Sequence, residues 1–66
     1  MEVFANGDSV TLAAGATITD LLTALGLGAK WVVAELNGRA VERSQMPNTA
    51  LSEGDKVELV RAVAGG

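Results

Sequence analysis

The chain contains neither cysteine nor histidine, and the two absences remove the usual ways of holding a very short protein together. Without thiols there is no disulfide framework, and without thiolate or imidazole ligands there is no structural zinc site. A chain of 66 residues buries only about 60% of the surface its unfolded form exposes. One core built on apolar packing alone must therefore carry the fold, and a single domain is expected. The same absences bear on chemistry. The remaining carboxylates and lysines show no spacing suited to acid-base or nucleophilic catalysis, so a stand-alone enzyme is not expected.

Positive charge is also scarce. Five Lys and Arg stand against eight Asp and Glu, a net charge of -3, which is the wrong sign for tracking a phosphate backbone. Nucleic acid is thus not an expected partner. No apolar run approaches the roughly 20 residues needed to cross a bilayer, and the opening Met1-Glu2-Val3 lacks the basic and apolar regions of a signal peptide. The expectation is a cytoplasmic protein without membrane association, monomeric when free. There is no Gly-rich phosphate loop of the Walker type either, and no repeat or low-complexity tract.

What the chain does have is apolar residues, 48% of the total, placed with clear periodicity. Met1-Glu2-Val3-Phe4-Ala5 and Ser9-Val10-Thr11-Leu12 flank Asn6-Gly7, a dipeptide suited to a type I′ turn. This predicts a hairpin with Met1, Val3, Val10 and Leu12 on the core face and Phe4 looking outward. From Thr17 the period changes. Ile18, Leu21, Leu22 and Leu25 form the stripe of a helix over residues 18–25. Thr17 and Asp20 suit a capping box at its start, and Gly26 with Leu27 suits its end.

Residues 31–36 are β-prone, with Val32, Ala34 and Leu36 sharing a face before a second Asn-Gly turn at Asn37-Gly38. Ala40-Val41 reads as a short returning strand. Residues 42–55 are irregular, with Met46 and Leu51 as the only apolar anchors and room for one helical turn. Residues 56–63 alternate as a last strand with Val57 and Leu59 inward. That strand has no sequence neighbour to pair with, so it most easily completes one mixed sheet of four to five strands carrying the helix on one face. The predicted class is α+β, a ubiquitin-like β-grasp over residues 1–63, followed by a flexible tail, Ala64-Gly65-Gly66.

Along nearly its whole length the chain resembles the ThiS family, the small sulfur carriers of thiamine biosynthesis. Four segments carry the resemblance: the opening strand into Asn6-Gly7, the helix, Val33-Ala34-Glu35-Leu36-Asn37-Gly38, and Glu53-Gly54-Asp55-Lys56-Val57-Glu58-Leu59-Val60 leading to Gly65-Gly66. One departure is visible. Relatives commonly carry Val-Pro-Arg where this chain has Val41-Glu42-Arg43, and Glu42 lacks proline's fixed φ.

The resemblance implies adenylation of Gly66 by a ubiquitin-activator-like adenylyltransferase, conversion to a thiocarboxylate and delivery of that sulfur to a thiazole synthase. A sulfur donor system is also implied, and the chain would act as a cosubstrate rather than a catalyst. A terminal carboxylate is an anion at neutral pH and a poor target for a sulfur nucleophile, so activation must come first. ATP and Mg²⁺ would belong to the activating partner, and the chain itself is expected to bind no cofactor and no metal. Gly65 and Gly66 lack Cβ atoms and so allow close approach inside a narrow active site. Glycine averages about 7% of residues, so two together at a given place arise by chance in roughly 0.5% of chains.

Ala64 continues the slim arm. Val60 breaks the alternation of the last strand on its outward side, and Phe4 extends the same patch if the first strand neighbours the last. Arg61 is the last charge before the tail, and together with Glu53, Asp55 and Glu58 it suits steering of a partner. Plain surface exposure explains Val60 equally well, covering of the sheet by the irregular loop explains Phe4 at least as well, and solvation is the better account of any single one of these charges. Trp31 reads as an anchor of the helix-strand junction rather than a site. Three alternatives stay open at this point: the small subunit of molybdopterin synthase, a ubiquitin-like protein modifier, and a plain interaction module.

Overall fold

Two Asn-Gly dipeptides set the frame of the structure, a computed structural model that describes residues 1–61. Asn6 and Gly7 both take positive φ, 51° and 87°, the type I′ geometry whose twist matches that of flanking strands. They join β1 (Glu2–Ala5) to β2 (Asp8–Thr11) with Val3 opposite Val10 and Ala5 opposite Asp8, the register expected from the turn. Asn37-Gly38 does the same for β3 (Val32–Leu36) and β4 (Arg39–Val41). The last strand, β5 (Lys56–Arg61), lies between the two hairpins in the order β2-β1-β5-β3-β4. It runs parallel to β1 and antiparallel to β3. One mixed five-stranded sheet with one helix across it is the β-grasp arrangement.

Helix α1 spans Ile18–Ala24. The Thr17 hydroxyl accepts the Asp20 N–H at 3.2 Å while the Asp20 carboxylate accepts the Thr17 N–H at 2.9 Å, so the expected capping box is formed. At the other end the Gly26 N–H bonds the Thr23 carbonyl at 3.1 Å and the Leu27 N–H bonds the Leu22 carbonyl at 2.8 Å. That is a Schellman motif, with Gly26 at φ 72° as its left-handed residue. It corrects one expectation. Leu25 caps the helix and is 38% exposed, because the Schellman turn folds Leu27 back against the core in its place.

The helix buries Ile18, Leu21 and Leu22 against Val3, Ala5, Val32, Ala34, Val57 and Leu59 of the sheet. Met1, Val10, Leu12, Leu36 and Val41 pack around this core while staying partly exposed. Fully burying a side chain of this size stabilises by about 1.5–3 kcal/mol. No polar side chain among the described residues is buried, so no polar group in this core competes with apolar packing.

The segment expected to be irregular closes the core from below. Residues Arg43–Asn48 form a 3-10 helix that buries Met46, and Leu51 is buried beyond it, so both anticipated anchors hold. The segment also pairs with the entry to the helix. Ile18 N–H bonds the Thr49 carbonyl at 3.1 Å and Leu51 N–H bonds the Ala16 carbonyl at 2.8 Å, which buries Ala16, a core residue that sequence patterning did not reveal.

Trp31 is the second correction. It sits in a 3-10 turn, Ala29–Trp31, before β3 begins at Val32, and it is 47% exposed with the Lys30 ammonium 5.1 Å from its ring centroid. It does not anchor the helix-strand junction, which Leu27 and Ala29 cover instead. The last strand was expected to reach residue 63; residues 62 and 63, like the tail, lie outside the described residues. No helix among the described residues is long and apolar enough to cross a membrane.

Candidate functional site

β5 is the strand that carries the chain toward Gly66, and its central position decides what surrounds its end. Because β1 runs parallel to it, the Asn6-Gly7 turn lies at the same end of the sheet as Arg61. Because β3 runs antiparallel to it, Val32 stands opposite Arg61, which brings the Trp31 turn to that end too. Gly65, Gly66 and Ala64, named from the sequence for the reactive arm, lie outside the described residues.

Val60 is 63% exposed on the sheet face away from the helix. Its partner across the ladder is Val33, 52% exposed, so two bare valines stand side by side on the tail side of the strand. Val33 escaped the sequence reading. The available signal was that it, like Val60, puts an apolar side chain at an outward position of an alternating strand. Only the β3–β5 register, which joins residues far apart in the chain, makes the two a pair.

Phe4 does lie on the same face, and β1 does neighbour β5, but the register separates Phe4 from Val60. Phe4 stands opposite Lys56, four residues before Val60, or about 13 Å along the strand. The half-buried ring instead lines a depression of about 330 Å³ together with Gly7, Lys56 and Glu58. The exposed face thus has an apolar pair on the tail side of the strand and an aromatic depression farther back.

The acidic residues divide between two tasks. Glu53 accepts the Glu2 N–H at 3.0 Å, and Asp55 accepts the Ser52 N–H at 2.7 Å and an Asn37 amide N–H at 3.1 Å. Both carboxylates are thus engaged in shaping the turn before β5. Glu58 is different. It lies on the open sheet face directly opposite Glu35, an arrangement of like charges that lowers sheet stability and leaves a negative field beside the two valines. Arg61 is exposed and is the last described residue of the strand.

Comparison with known proteins gives this geometry its context. Residues 2–66 match the ThiS family model. The crystal structure of the thiamine biosynthesis protein ThiS from Geobacter metallireducens superposes with a TM-score of 0.83 at 36% identity, covering all of both chains. A solution structure of a thiamine biosynthesis protein from the same organism gives 0.78 at 36% identity, over all of this chain and 88% of that one. SAMP1 from Haloferax volcanii shares the fold, with a TM-score of 0.64 at 23% identity over 98% of this chain and 97% of its own. A thiazole synthase from Paramagnetospirillum magneticum is 33% identical over all 66 residues, and the chain spans 20% of the length of that protein. The match over nearly the whole chain and the shared β-grasp fold lead to one conclusion: the chain belongs to the ThiS family.

Proposed function

We propose that this chain is a sulfur carrier for thiazole formation in thiamine biosynthesis, with the sulfur held on the carboxyl of Gly66. The observation that carries the reading is the family match, which extends to Gly66 itself. The thiazole synthase relative, which contains a stretch like this chain within a longer polypeptide, supports a thiazole synthase as the consumer of the sulfur. The same match favours thiazole formation over the molybdopterin alternative.

The chemistry runs in two displacements. A carboxylate oxygen of Gly66 attacks the α-phosphorus of ATP, forming the acyl-adenylate and releasing pyrophosphate. Hydrosulfide then attacks the acyl carbon, AMP leaves with its electron pair, and loss of the sulfur-bound proton leaves a thiocarboxylate. ATP and Mg²⁺, which neutralises the developing phosphate charge, belong to a ubiquitin-activator-like adenylyltransferase. This chain supplies the arm and a docking face. Gly65 and Ala64 keep the arm thin, Val60 and Val33 give the apolar contact, and Arg61, Glu58 and Glu35 present charge to a complementary partner. Phe4 and its depression make a second contact farther along the same face.

The reading is tested by incubating the chain with ATP, Mg²⁺, a sulfide source and such an adenylyltransferase, then measuring the mass of the C-terminal peptide. The expected result is exchange of one carboxyl oxygen for sulfur at Gly66. A peptide left unchanged by an enzyme that modifies a ThiS protein would overturn it. The docking face is tested separately by Val60→Lys. Val60 is exposed, so the fold is expected to lose no more than about 0.5 kcal/mol, while KM in the adenylation reaction rises about tenfold, as for loss of about 1.4 kcal/mol at an interface. An unchanged KM would remove Val60 from the interface.

A further inference from the structure

The parallel ladder between β1 and β5 is made by every second residue. Phe4 N–H bonds the Asp55 carbonyl at 2.9 Å, and Asn6 N–H bonds the Val57 carbonyl at 2.9 Å. The next rung would fall on Leu59, but the chain has already turned away at Asn6-Gly7. The Asn6 side chain supplies that rung. Its Nδ2 donates to the Leu59 carbonyl at 3.0 Å and its Oδ1 accepts the Leu59 N–H at 2.7 Å. Only one orientation of the amide satisfies both bonds. The side chain therefore acts as one more residue of β1, two positions before Arg61, the last described residue of β5.

The second Asn-Gly turn does the same at the far end of β5. The Asn37 N–H bonds the Lys56 carbonyl at 2.8 Å, and its Oδ1 accepts the Lys56 N–H at 3.0 Å. Asn37 adopts φ 50° and Asn6 φ 51°, so both combine a left-handed turn position with a grip on β5. They differ in location. Asn37 holds the strand where it enters the sheet, and Asn6 holds it where it leaves.

We propose that Asn6 is a positioning residue for the reaction at Gly66: its amide fixes the backbone of Leu59 and so the direction in which the chain leaves the sheet toward its reactive end. The proposal rests on the sulfur-carrier reading. Released from Asn6, Leu59 loses its β1-side partners, and Leu59, Val60 and Arg61, the last described residues of β5, are paired with β3 alone. The arm then meets the partner's active site over a wider range of approach, which lowers the rate of reaction more than the affinity of docking.

Asn6→Gly tests this, since glycine accepts the positive φ of the turn and removes only the amide. Asn37→Gly is the control at the other end of the same strand: it removes the amide's bonds to the Lys56 N–H and the Asp55 carboxylate and keeps the backbone bond to the Lys56 carbonyl. In hydrogen exchange, N6G is expected to speed the Leu59 amide about tenfold relative to the other amides of β5, and N37G to speed Lys56 instead. With an adenylyltransferase that modifies the wild-type chain, N6G is expected to lower kcat about tenfold with KM little changed, and N37G to leave both near the wild-type values. Should N6G not fold, Asn6→Asp keeps the turn and the acceptor for the Leu59 N–H but places an oxygen against the Leu59 carbonyl, and kcat is expected to fall in the same direction. Equal losses of kcat in N6G and N37G, an unchanged kcat in N6G, or an unchanged Leu59 exchange rate would each overturn the proposal. A wild-type chain that accepts no adenylate would overturn the carrier reading, while the exchange rates would still decide whether Asn6 holds Leu59.

Discussion

Deletion of Gly65 and Gly66 is expected to abolish sulfur loading while leaving the domain as stable as before. The two residues together span about 7 Å of extended chain, so their loss withdraws the reacting carboxyl by that distance from a site built to receive it. A misplacement of about 1 Å can already cost about a hundredfold in rate. The stability half follows from the core, whose buried residues run from Val3 to Leu59. The measurement pairs the mass of the chain after incubation with ATP, Mg²⁺, sulfide and the adenylyltransferase with a urea unfolding curve. Sulfur on the shortened chain would sink the assignment of Gly66. A large drop in the unfolding midpoint would show that the arm supports the fold instead.

The second large effect is in the core. Leu21 is fully buried on α1, and Leu21→Ala is expected to cost about 2–5 kcal/mol from lost burial and the cavity left behind. A domain this small rarely draws more than about 3–5 kcal/mol from its core, so the variant should be substantially unfolded without denaturant. Leu25→Ala, four residues on and 38% exposed, should cost under about 1 kcal/mol. Unfolding followed by far-ultraviolet circular dichroism separates the two, since Trp31 is too exposed to report core packing by fluorescence. Similar losses for the two variants would contradict the placement of Leu25 outside the core.

This contrast also marks where local pattern stops being informative. Leu25 continues the i, i+3, i+4, i+7 stripe, and nothing in that spacing shows that the helix is only seven residues long or that Leu27 takes over the contact. Trp31 departs from its local pattern for a related reason. An aromatic at the head of a β-prone run suggests burial, but a 3-10 turn rotates it out of the sheet before the first paired residue. The acidic cluster read as one feature divides as well, because Glu53 and Asp55 are held by backbone and side-chain amides while Glu58 faces solvent.

Local chemistry was enough to determine the helix and the strands, though not the 3-10 turn at Ala29–Trp31. Asn-Gly set both hairpin turns and their registers, Thr17 and Asp20 set the start of the helix, Gly26 set its end, and alternation set the inward faces of the strands. The family resemblance was legible in the same segments. What the tertiary structure alone decided is how strands distant in the chain lie against one another, since the register of β5 between β1 and β3 depends on packing the whole core at once. That register pairs Val33 with Val60, separates Phe4 from both, and brings the Asn6 amide to the backbone of Leu59. A side chain's pattern shows which way it faces; its neighbours across a sheet are chosen by residues more than 25 or 50 positions away.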